Sequence, residues 1–330
     1  MKKTLIYGGG TMGSFLGYCL YNSNHKIYFL CRNENYKACK KYGLTIQIYN
    51  NNILKKNITI KENKNFIFIN NIKKIKNIFF DYIFITTKIN NDLKTIFEKI
   101  EKFINKKTSI IPPCTSIPFW WFKCLSKEKH KFFEKRLNNI FIKNLKRQNI
   151  IGMTMWLSGK IEKPGLVKIS HIQRGYPLKE VFTKFKGKAD KLRNDIRKKC
   201  KSPIVKNIYS EIFSKSINSL AFNLVALNSE KNNFDLKRSK KERKNIYQIL
   251  LEGDHFLKNN KIKIFQSISS RINQTLSSTT HTMSMLNAYK NKKEIEIIKL
   301  WESFENLTAP LNYKMKTTKK IFSMVRKKIQ

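Results

Sequence analysis

Three glycines near the start of the chain have the spacing of a phosphate-binding loop. Gly8, Gly10 and Gly13 form G-x-G-x-x-G within LIYGGGTMGSFLG, between a short apolar run and apolar residues at helical spacing. The first glycine permits a tight turn, the second lets a pyrophosphate approach the backbone, and the third lets strand and helix pack closely. The phosphates then lie against the amino end of the helix. This pattern predicts a dinucleotide site formed by Gly8, Gly9, Gly10, Thr11, Met12 and Gly13.

An arginine follows the second predicted strand, Lys26 to Leu30. A fold selective for NAD places an acidic residue here to hold the ribose 2′-hydroxyl, whereas a guanidinium suits a 2′-phosphate. Arg32 therefore favours NADPH. An ordinary surface arginine is the alternative, and the nearby Glu34 keeps NADH open.

A lysine with potential acid chemistry lies in a helix-like segment, YSEIFSKSINSLAFNLVAL, which begins at Tyr209. Residues at intervals of four share one face of such a helix, namely Glu211, Lys215, Ser219 and Asn223. No charged residue occurs from Ser216 to Ser229, which is typical of a buried helix, and a buried lysine needs a partner or a chemical role. The alternative is the solvated face of an amphipathic helix.

The first half of the chain alternates between strand-like and helix-like segments. DYIFITTK from Asp81 and TSIIPP from Thr108 are typical of buried strands, and residues 91–104 have the pattern of an amphipathic helix. Such a series predicts a parallel sheet, whose ligands bind beyond the carboxyl ends of the strands. Lys88 and Thr115 both fall at such ends, so we expect both beside the cofactor.

Further strand-like segments are followed by a change to helical periodicity. Residues 149–171 are typical of two more strands joined by a turn at Pro164–Gly165, and after the charged stretch 184–201 the periodicity becomes helical. We predict an α/β fold: a Rossmann-like dinucleotide-binding domain over residues 1–206, then an all-helical substrate and catalytic domain over residues 207–330, with the active site between them.

The formal net charge is +45, from 67 Lys and Arg against 22 Asp and Glu. Such a charge taken alone indicates nucleic acid or an anionic membrane as a partner. Here the lysines are spread along the chain among Asn and Ile, as AT-rich coding produces, so we interpret them as a solvated basic surface. We expect no specific nucleic acid partner, and a nucleic-acid-binding module is an alternative based on charge alone.

The amino terminus has the outline of a signal peptide, MKK followed by an uncharged stretch. Three glycines would break its apolar helix at a cost of about 1 kcal/mol each relative to Ala, and no A-x-A cleavage site follows. Every other apolar run is too short to span a membrane. The six cysteines show neither C-x-x-C nor a histidine at zinc spacing, so we expect no metal and a reducing, cytoplasmic location.

Taken in order, these features resemble the ketopantoate reductases (2-dehydropantoate 2-reductases) over nearly the whole chain. The glycine motif is followed by Arg32 and Lys88, each after a strand. IPFWWF from Ile117 is similar to the IPWWYF of one branch of the family, and PGLVKISH resembles its P-G-x-[IV] turn. Because several motifs coincide in order and spacing, the resemblance is specific.

Two further motifs of the family lie in the helical half. Its W-x-K-x3-N-x3-N helix is similar to the series Phe213, Lys215, Ser219 and Asn223. Its S-M-L-x-D and its later E-[IL]-D are similar to SML at Ser284 and to Glu296 within EIEI, with the same twelve-residue separation.

The resemblance implies an NADP-dependent oxidoreductase that reduces 2-dehydropantoate to pantoate in pantothenate and coenzyme A biosynthesis. Reduction of a 2-keto acid needs a hydride donor, an acid for the developing alkoxide, and donors for the carboxylate. The resemblance makes Lys215 the general acid and Glu296 the residue that orients it. It also implies substrate binding by Ser219, Asn223 and Ser284, and cofactor binding by Lys88, Asn91 and Thr115.

The chain departs from the family pattern at several positions. Thr115–Ser116 replaces an Asn-Gly, Ser219 replaces the first asparagine after the lysine, and Ala288 replaces the aspartate of S-M-L-x-D. The alternatives are therefore a reductase of the same family that acts on another 2-keto acid, and a non-catalytic NADP-binding protein. We expect a small 2-keto acid as the partner and no association with a membrane. A homodimer is compatible with the sequence.

Overall fold

The computed structural model describes residues 1–50, 52–88, 92–112, 115–147, 149–182, 186–277 and 282–330. Contacts divide the chain into two compact units. The first unit comprises Met1–Cys114 and Asn138–Ile208, and the second comprises Thr115–Leu137 and Tyr209–Gln330.

The strands belong to the first unit. They are β1 (Lys2–Tyr7), β2 (His25–Leu30), β3 (Leu44–Asn50), β4 (Ile53–Ile60), β5 (Phe66–Ile69), β6 (Tyr82–Ile85), β7 (Ser109–Ile111), β8 (Ile151–Met153), β9 (Trp156–Lys163), β10 (Leu166–Gly175) and β11 (Leu178–Glu180). The helices of this unit are α1 (Thr11–Leu20), α2 (Asn33–Tyr42), α3 (Leu93–Ile100), α5 (Asn139–Arg147) and α6 (Lys188–Arg197), with α4 (Lys127–Glu134) in the second unit.

A five-stranded parallel sheet forms the centre of the first unit. Its order is β5-β2-β1-β6-β7, so the first strand lies between the second and the fourth strands of this sheet. This is the order of a Rossmann-like sheet, and its ligands bind where the strand order reverses, beside the carboxyl end of β1. The apolar runs of β1 and β2 are buried on both faces, as a parallel sheet requires.

A smaller mixed sheet lies in the same unit, in the order β4-β3-β10-β9. Strand β10 pairs in parallel with β3 and antiparallel with β9, and the β9–β10 turn is formed by Pro164 and Gly165. The predicted turn at these two residues is therefore present. Gly165 has a φ of +76°, a conformation that glycine adopts without strain.

The second unit is helical in the residues that the structure describes. After α4 it contains α7 (Ile208–Ser229), α8 (Asn233–Arg238), α9 (Lys240–Asn259), α10 (Ile268–Thr275), α11 (Ser284–Lys290), α12 (Ile297–Thr308) and α13 (Lys316–Ile329). Together with the central sheet, these helices confirm the predicted fold class, a Rossmann-like α/β domain and an all-helical one.

The division of the chain differs from the predicted boundary, because residues 115–137 belong to the helical unit. Aromatic packing is the physical reason. Trp121 lies 5.4 Å from Phe213 between ring centroids, and its indole N–H donates to the carbonyl of Tyr209 at 2.9 Å. Phe213 in turn stacks on Phe256 at 5.6 Å. The motif IPFWWF is thus part of the core around α7.

None of the helices in the described ranges has the length and apolar character that crossing a membrane requires.

Candidate functional site

The glycine loop follows β1 and is closed by contacts that only glycine allows. Gly8 has a φ of +129°, and a Cβ on it would lie 3.0 Å from atoms of Thr86. A Cβ on Gly13 would lie 2.0 Å from the carbonyl oxygen of Gly8. The Thr86 hydroxyl donates to that same carbonyl at 2.8 Å. Gly8 and Gly13 therefore bring strand, turn and helix together as the motif predicts.

Gly10 has the opposite environment. A Cβ added there would meet no atom within 4 Å, so the second glycine of the motif borders open space. Gly10 is also the N-cap of α1, it supplies no side-chain cap, and the first turn of the helix contains no acidic residue. The first N–H groups of a helix lack intrahelical acceptors and carry partial positive charge. The loop with Thr11 and Met12 thus fits the pyrophosphate of a dinucleotide.

Two cationic side chains follow the neighbouring strands. Arg32 is exposed two residues beyond β2, and Lys88 is exposed three residues beyond β6. The parallel pairing of β1 with β2 and β6 places their carboxyl ends on one edge of the sheet. Arg32 also acts on the last residue of β1: burial raises the pKa of Tyr7, and the guanidinium charge partly opposes that rise. The structure thus brings the glycine loop, Arg32 and Lys88 to the same edge.

Asn91 and Thr115 are the two other residues predicted to bind the cofactor. Asn91 lies outside the described residues. Thr115 is exposed and belongs to the helical unit, not to the unit that carries the glycine loop.

Helix α7 carries the proposed acid. From residue 210 to residue 227 every side chain is buried except Lys215 and Ser219, which are partly exposed. These two lie one turn apart on the face that the sequence pattern predicts. Burial lowers the pKa of Lys215 from its ordinary value, which is the change that makes an ammonium group a better proton donor near neutral pH.

Asn223, one turn further along, is buried and bonded within the unit. Its side-chain N–H donates to the Ser219 carbonyl at 2.8 Å, and its Oδ1 accepts from the backbone N–H of Met285 at 3.1 Å. Met285 follows Ser284, the exposed first residue of α11. Asn223 of α7 therefore links this helix to the first turn of α11, which begins with Ser284.

Glu296 is the N-cap residue of α12 and is partly buried. Its carbonyl accepts from the Leu300 N–H at 2.9 Å. Further along α12, the Ser303 hydroxyl accepts from the backbone N–H of Ile117 at 3.2 Å, which fixes the start of the aromatic turn.

Two polar residues that form hydrogen bonds with the glycine loop were not predicted. Thr86 fixes the Gly8 carbonyl, as described above. The Asn35 side chain donates to the Gly9 carbonyl at 2.9 Å and accepts from the Gly165 N–H at 2.8 Å. Position gave a signal for Thr86, which directly follows β6, but spacing gives none for Asn35, whose partners are remote in sequence.

Comparisons with known proteins agree with this geometry. Residues 4–113 match the family model of ketopantoate reductase PanE/ApbA. No curated protein matches the chain. The structure of 2-dehydropantoate 2-reductase from Methylococcus capsulatus is similar, with a TM-score of 0.77 at 14% identity over 98% of this chain and 96% of that chain. The enzyme of that name from Geobacter metallireducens GS-15 has a TM-score of 0.75 at 16% identity, over 99% of both chains.

A dehydrogenase with another substrate is also similar. D-mandelate dehydrogenase, solved with NADH and anilino(oxo)acetate, has a TM-score of 0.77 at 19% identity over 99% of this chain and 98% of that chain. At such identities the structural likeness concerns the fold, whereas the family model is matched by the sequence of the nucleotide-binding part itself. The resemblance predicted from the sequence is confirmed for the amino-terminal part, because residues 4–113 match the family model of ketopantoate reductase PanE/ApbA.

Proposed function

We propose that this protein reduces 2-dehydropantoate to pantoate with NADPH. The observation that carries the proposal is Lys215, a lysine with a lowered pKa that is partly exposed, together with Ser219, on a helix whose other side chains from residue 210 to residue 227 are buried. In a chain whose residues 4–113 match a reductase family model, such a lysine is suited to protonate the alkoxide formed on reduction.

The cofactor would be held by backbone groups and one guanidinium. The N–H groups of Gly10, Thr11 and Met12 would bind the pyrophosphate. The open space beside Gly10, where an added Cβ would meet no atom within 4 Å, leaves room for it. Arg32 would pair with the 2′-phosphate, and no acidic residue stands at the end of β2 to favour a free 2′-hydroxyl. These contacts support NADPH as the preferred donor.

The reaction transfers two electrons and two hydrogens. When bound, the reduced nicotinamide supplies hydride to the ketone carbon, and the ammonium group of Lys215 supplies the proton to the ketone oxygen. The Ser219 hydroxyl, one turn from Lys215, and the exposed Ser284 hydroxyl would donate to the substrate's carboxylate or hydroxyl group. Glu296 would orient Lys215.

Reduction of a different 2-keto acid is the second candidate. It is favoured by the similarity to D-mandelate dehydrogenase, and by Ser219 and Ala288, which stand where the family motif has Asn and Asp. Shorter side chains at these positions change the donors offered to the substrate, although water can bridge to a hydroxyl.

A panel of 2-keto acids tests both candidates. Purified protein is mixed with NADPH or NADH and each acid, including 2-dehydropantoate and phenylglyoxylate, and the loss of nicotinamide absorbance is recorded. We expect turnover of 2-dehydropantoate with NADPH. Faster turnover of another acid would replace the substrate and retain the reaction, whereas cofactor binding without turnover of any acid would refute the catalytic proposal.

A further inference from the structure

Asn35 connects two segments that the sequence brought forward separately, the glycine loop and the Pro164–Gly165 turn. It lies in the first turn of α2, partly buried, and it bonds to a carbonyl of the loop and to an N–H of the turn. All three segments belong to the first unit.

The Gly165 N–H determines which way the Asn35 amide faces. An N–H group can only donate, so the side-chain oxygen of Asn35 must face Gly165, at 2.8 Å. The amide nitrogen then faces the Gly9 carbonyl, to which it donates at 2.9 Å. Gly165 is itself held against α2, since a Cβ on it would lie 3.2 Å from the Cβ of Ala38. The β9–β10 turn therefore fixes the orientation of the Asn35 side-chain amide.

The Gly9 carbonyl belongs to the peptide that joins Gly9 to Gly10. In a planar trans peptide the C=O and the N–H point in opposite directions. Holding the carbonyl toward Asn35 therefore directs the Gly10 N–H away from Asn35. Gly10 is the residue of the loop that borders open space, where the pyrophosphate would lie.

The sequence explains why the Gly9–Gly10 peptide needs to be fixed. A peptide between two glycines rotates at low cost, because neither neighbour has a Cβ that restricts it. Rotation by half a turn would aim the Gly9 carbonyl at the phosphates and withdraw the Gly10 N–H from them. The Ser14 hydroxyl also donates to this carbonyl, but at 3.4 Å, so the shorter contact from Asn35 is the stronger one.

We infer that Asn35 is a positioning residue of the nucleotide site, which fixes the Gly9–Gly10 peptide in the orientation that presents an N–H to the pyrophosphate. The inference rests on the cofactor part of the proposed function and is independent of which keto acid is reduced. One neutral hydrogen bond of this kind corresponds to about a three- to tenfold change in affinity.

The test compares two ligands in direct binding measurements on the full chain. In Asn35→Ala we expect NADPH to bind about three- to tenfold more weakly than in the wild type, by fluorescence titration. Binding of adenosine 2′-monophosphate, which lacks the pyrophosphate, stays unchanged in ligand-observed NMR. The KM for NADPH rises by the same factor, and kcat at saturating NADPH is retained.

Two further variants keep the test decisive. Asn35→Asp has nearly the same shape and keeps an acceptor for Gly165, so it disturbs the packing less than Asn35→Ala does; it loses the donor to Gly9 and adds a negative charge. We expect weaker NADPH binding from it as well. Asn149→Ala is the matched control, because Asn149 is a buried asparagine that donates to the Thr108 carbonyl at another place in the same unit. It loses stability without a change in NADPH affinity.

The outcomes separate this inference from the proposed reaction. Unchanged NADPH affinity in both Asn35 variants, or equal weakening of the two ligands, would overturn the role of Asn35. Weaker NADPH binding in a protein that turns over no keto acid would support Asn35 and refute the reductase. A wild type that binds no nicotinamide dinucleotide would refute both.

Discussion

Asn223 joins two helices of the catalytic candidate site through a single amide oxygen, which accepts the backbone N–H of Met285 at 3.1 Å. Both side-chain ends of Asn223 are engaged within the protein, since its nitrogen donates to the Ser219 carbonyl. The predicted contact of Asn223 with substrate stays a prediction. The geometry gives this residue a second role, holding the start of α11 and with it Ser284.

Replacing Asn223 tests that link. In Asn223→Ala the buried Met285 N–H loses its acceptor, so we expect the free energy of unfolding to fall by about 1–3 kcal/mol and the KM for the keto acid to rise. Urea unfolding and steady-state kinetics measure the two effects. The control is Asn218→Ala on the same helix, because the buried Oδ1 of Asn218 has no hydrogen-bond partner among the described residues. An equal KM for the keto acid in both variants would show that Asn223 has no specific role in substrate binding.

Replacing Lys215 tests the acid. We expect Lys215→Ala to lower kcat by about 10²- to 10⁴-fold, the range of general acid catalysis, while NADPH binding is retained. Lys237→Ala on the exposed face of α8 is the control and leaves kcat unchanged. Turnover retained in Lys215→Ala would remove this residue as the proton donor.

The pH profile of the reduction has a defined sign. Lys215 donates a proton only as the ammonium group, and burial lowers its pKa below the ordinary value of 10.5. The rate of keto acid reduction should therefore fall as the pH rises through that lowered pKa, before pH 10.5 is reached. A profile of kcat that stays flat up to pH 10.5 would contradict this assignment.

Replacing Arg32 tests the choice of cofactor. A charge-assisted pair with the 2′-phosphate corresponds to about a ten- to hundredfold contribution, so Arg32→Ala should raise the KM for NADPH by that factor and leave the KM for NADH nearly unchanged. Arg136→Ala, an exposed arginine of the helical unit, is the control for the loss of one positive charge. Equal losses for both cofactors would show that Arg32 does not read the 2′-phosphate.

Two glycines of one motif should respond oppositely to alanine. Gly10 has a φ of −75° and empty space at its Cβ, so Gly10→Ala should fold with an unchanged or slightly higher melting temperature and lose NADPH affinity. Gly13→Ala would place a Cβ 2.0 Å from the Gly8 carbonyl and should lower the melting temperature by several degrees. Calorimetry and NADPH titration distinguish the two, and a destabilised Gly10→Ala would contradict this account of the loop.

Buried His25 predicts a pH dependence of stability. Its ring nitrogens contact the Thr4 hydroxyl at 2.7 Å and the Asp195 carboxylate at 3.1 Å. Burial lowers the pKa of His25 below its ordinary value of 6.5, although the hydrogen bond with Asp195 opposes this. The unfolded chain therefore binds a proton below about pH 6.5 that the folded chain binds less readily, and stability falls as the pH drops through that range.

Substitution isolates this effect. His25→Gln should reduce the decline in the free energy of unfolding between pH 7 and pH 5, which for one group is at most about 1.4 kcal/mol per pH unit. The exposed His171, changed to Gln, serves as the control. Asp195 titrates in a lower range: burial opposes its ionisation, but hydrogen bonds from Lys2 and His25 lower its pKa below 3.8. An unchanged slope in His25→Gln would exclude this histidine as the cause.

The sequence predicted the parts of the site that depend on local pattern. The glycine spacing, Arg32 after β2 and the face of α7 with Lys215 and Ser219 each follow from a period or from a motif within about fifteen residues. The structure places the glycine motif at the junction of β1 and α1, Arg32 beyond β2, and Lys215 and Ser219 one turn apart on α7.

Contacts between distant segments could not be predicted in this way. Asn35 meets the Gly165 N–H across 130 positions, and Ile117 meets Ser303 across 186. Neither pairing leaves a periodic trace in the sequence. The same holds for the segment 115–137, whose membership of the helical unit follows from aromatic contacts with α7 and not from its own composition.

That segment limits how the protein can be dissected. A fragment that begins at Tyr209 would lack Trp120 and Trp121, and the rings of Tyr209 and Phe213 that they cover would be left to water. Truncation between the last strand and α7 therefore yields an incomplete domain that is prone to aggregate. Expression of the helical unit by itself requires residues 115–137 to be included.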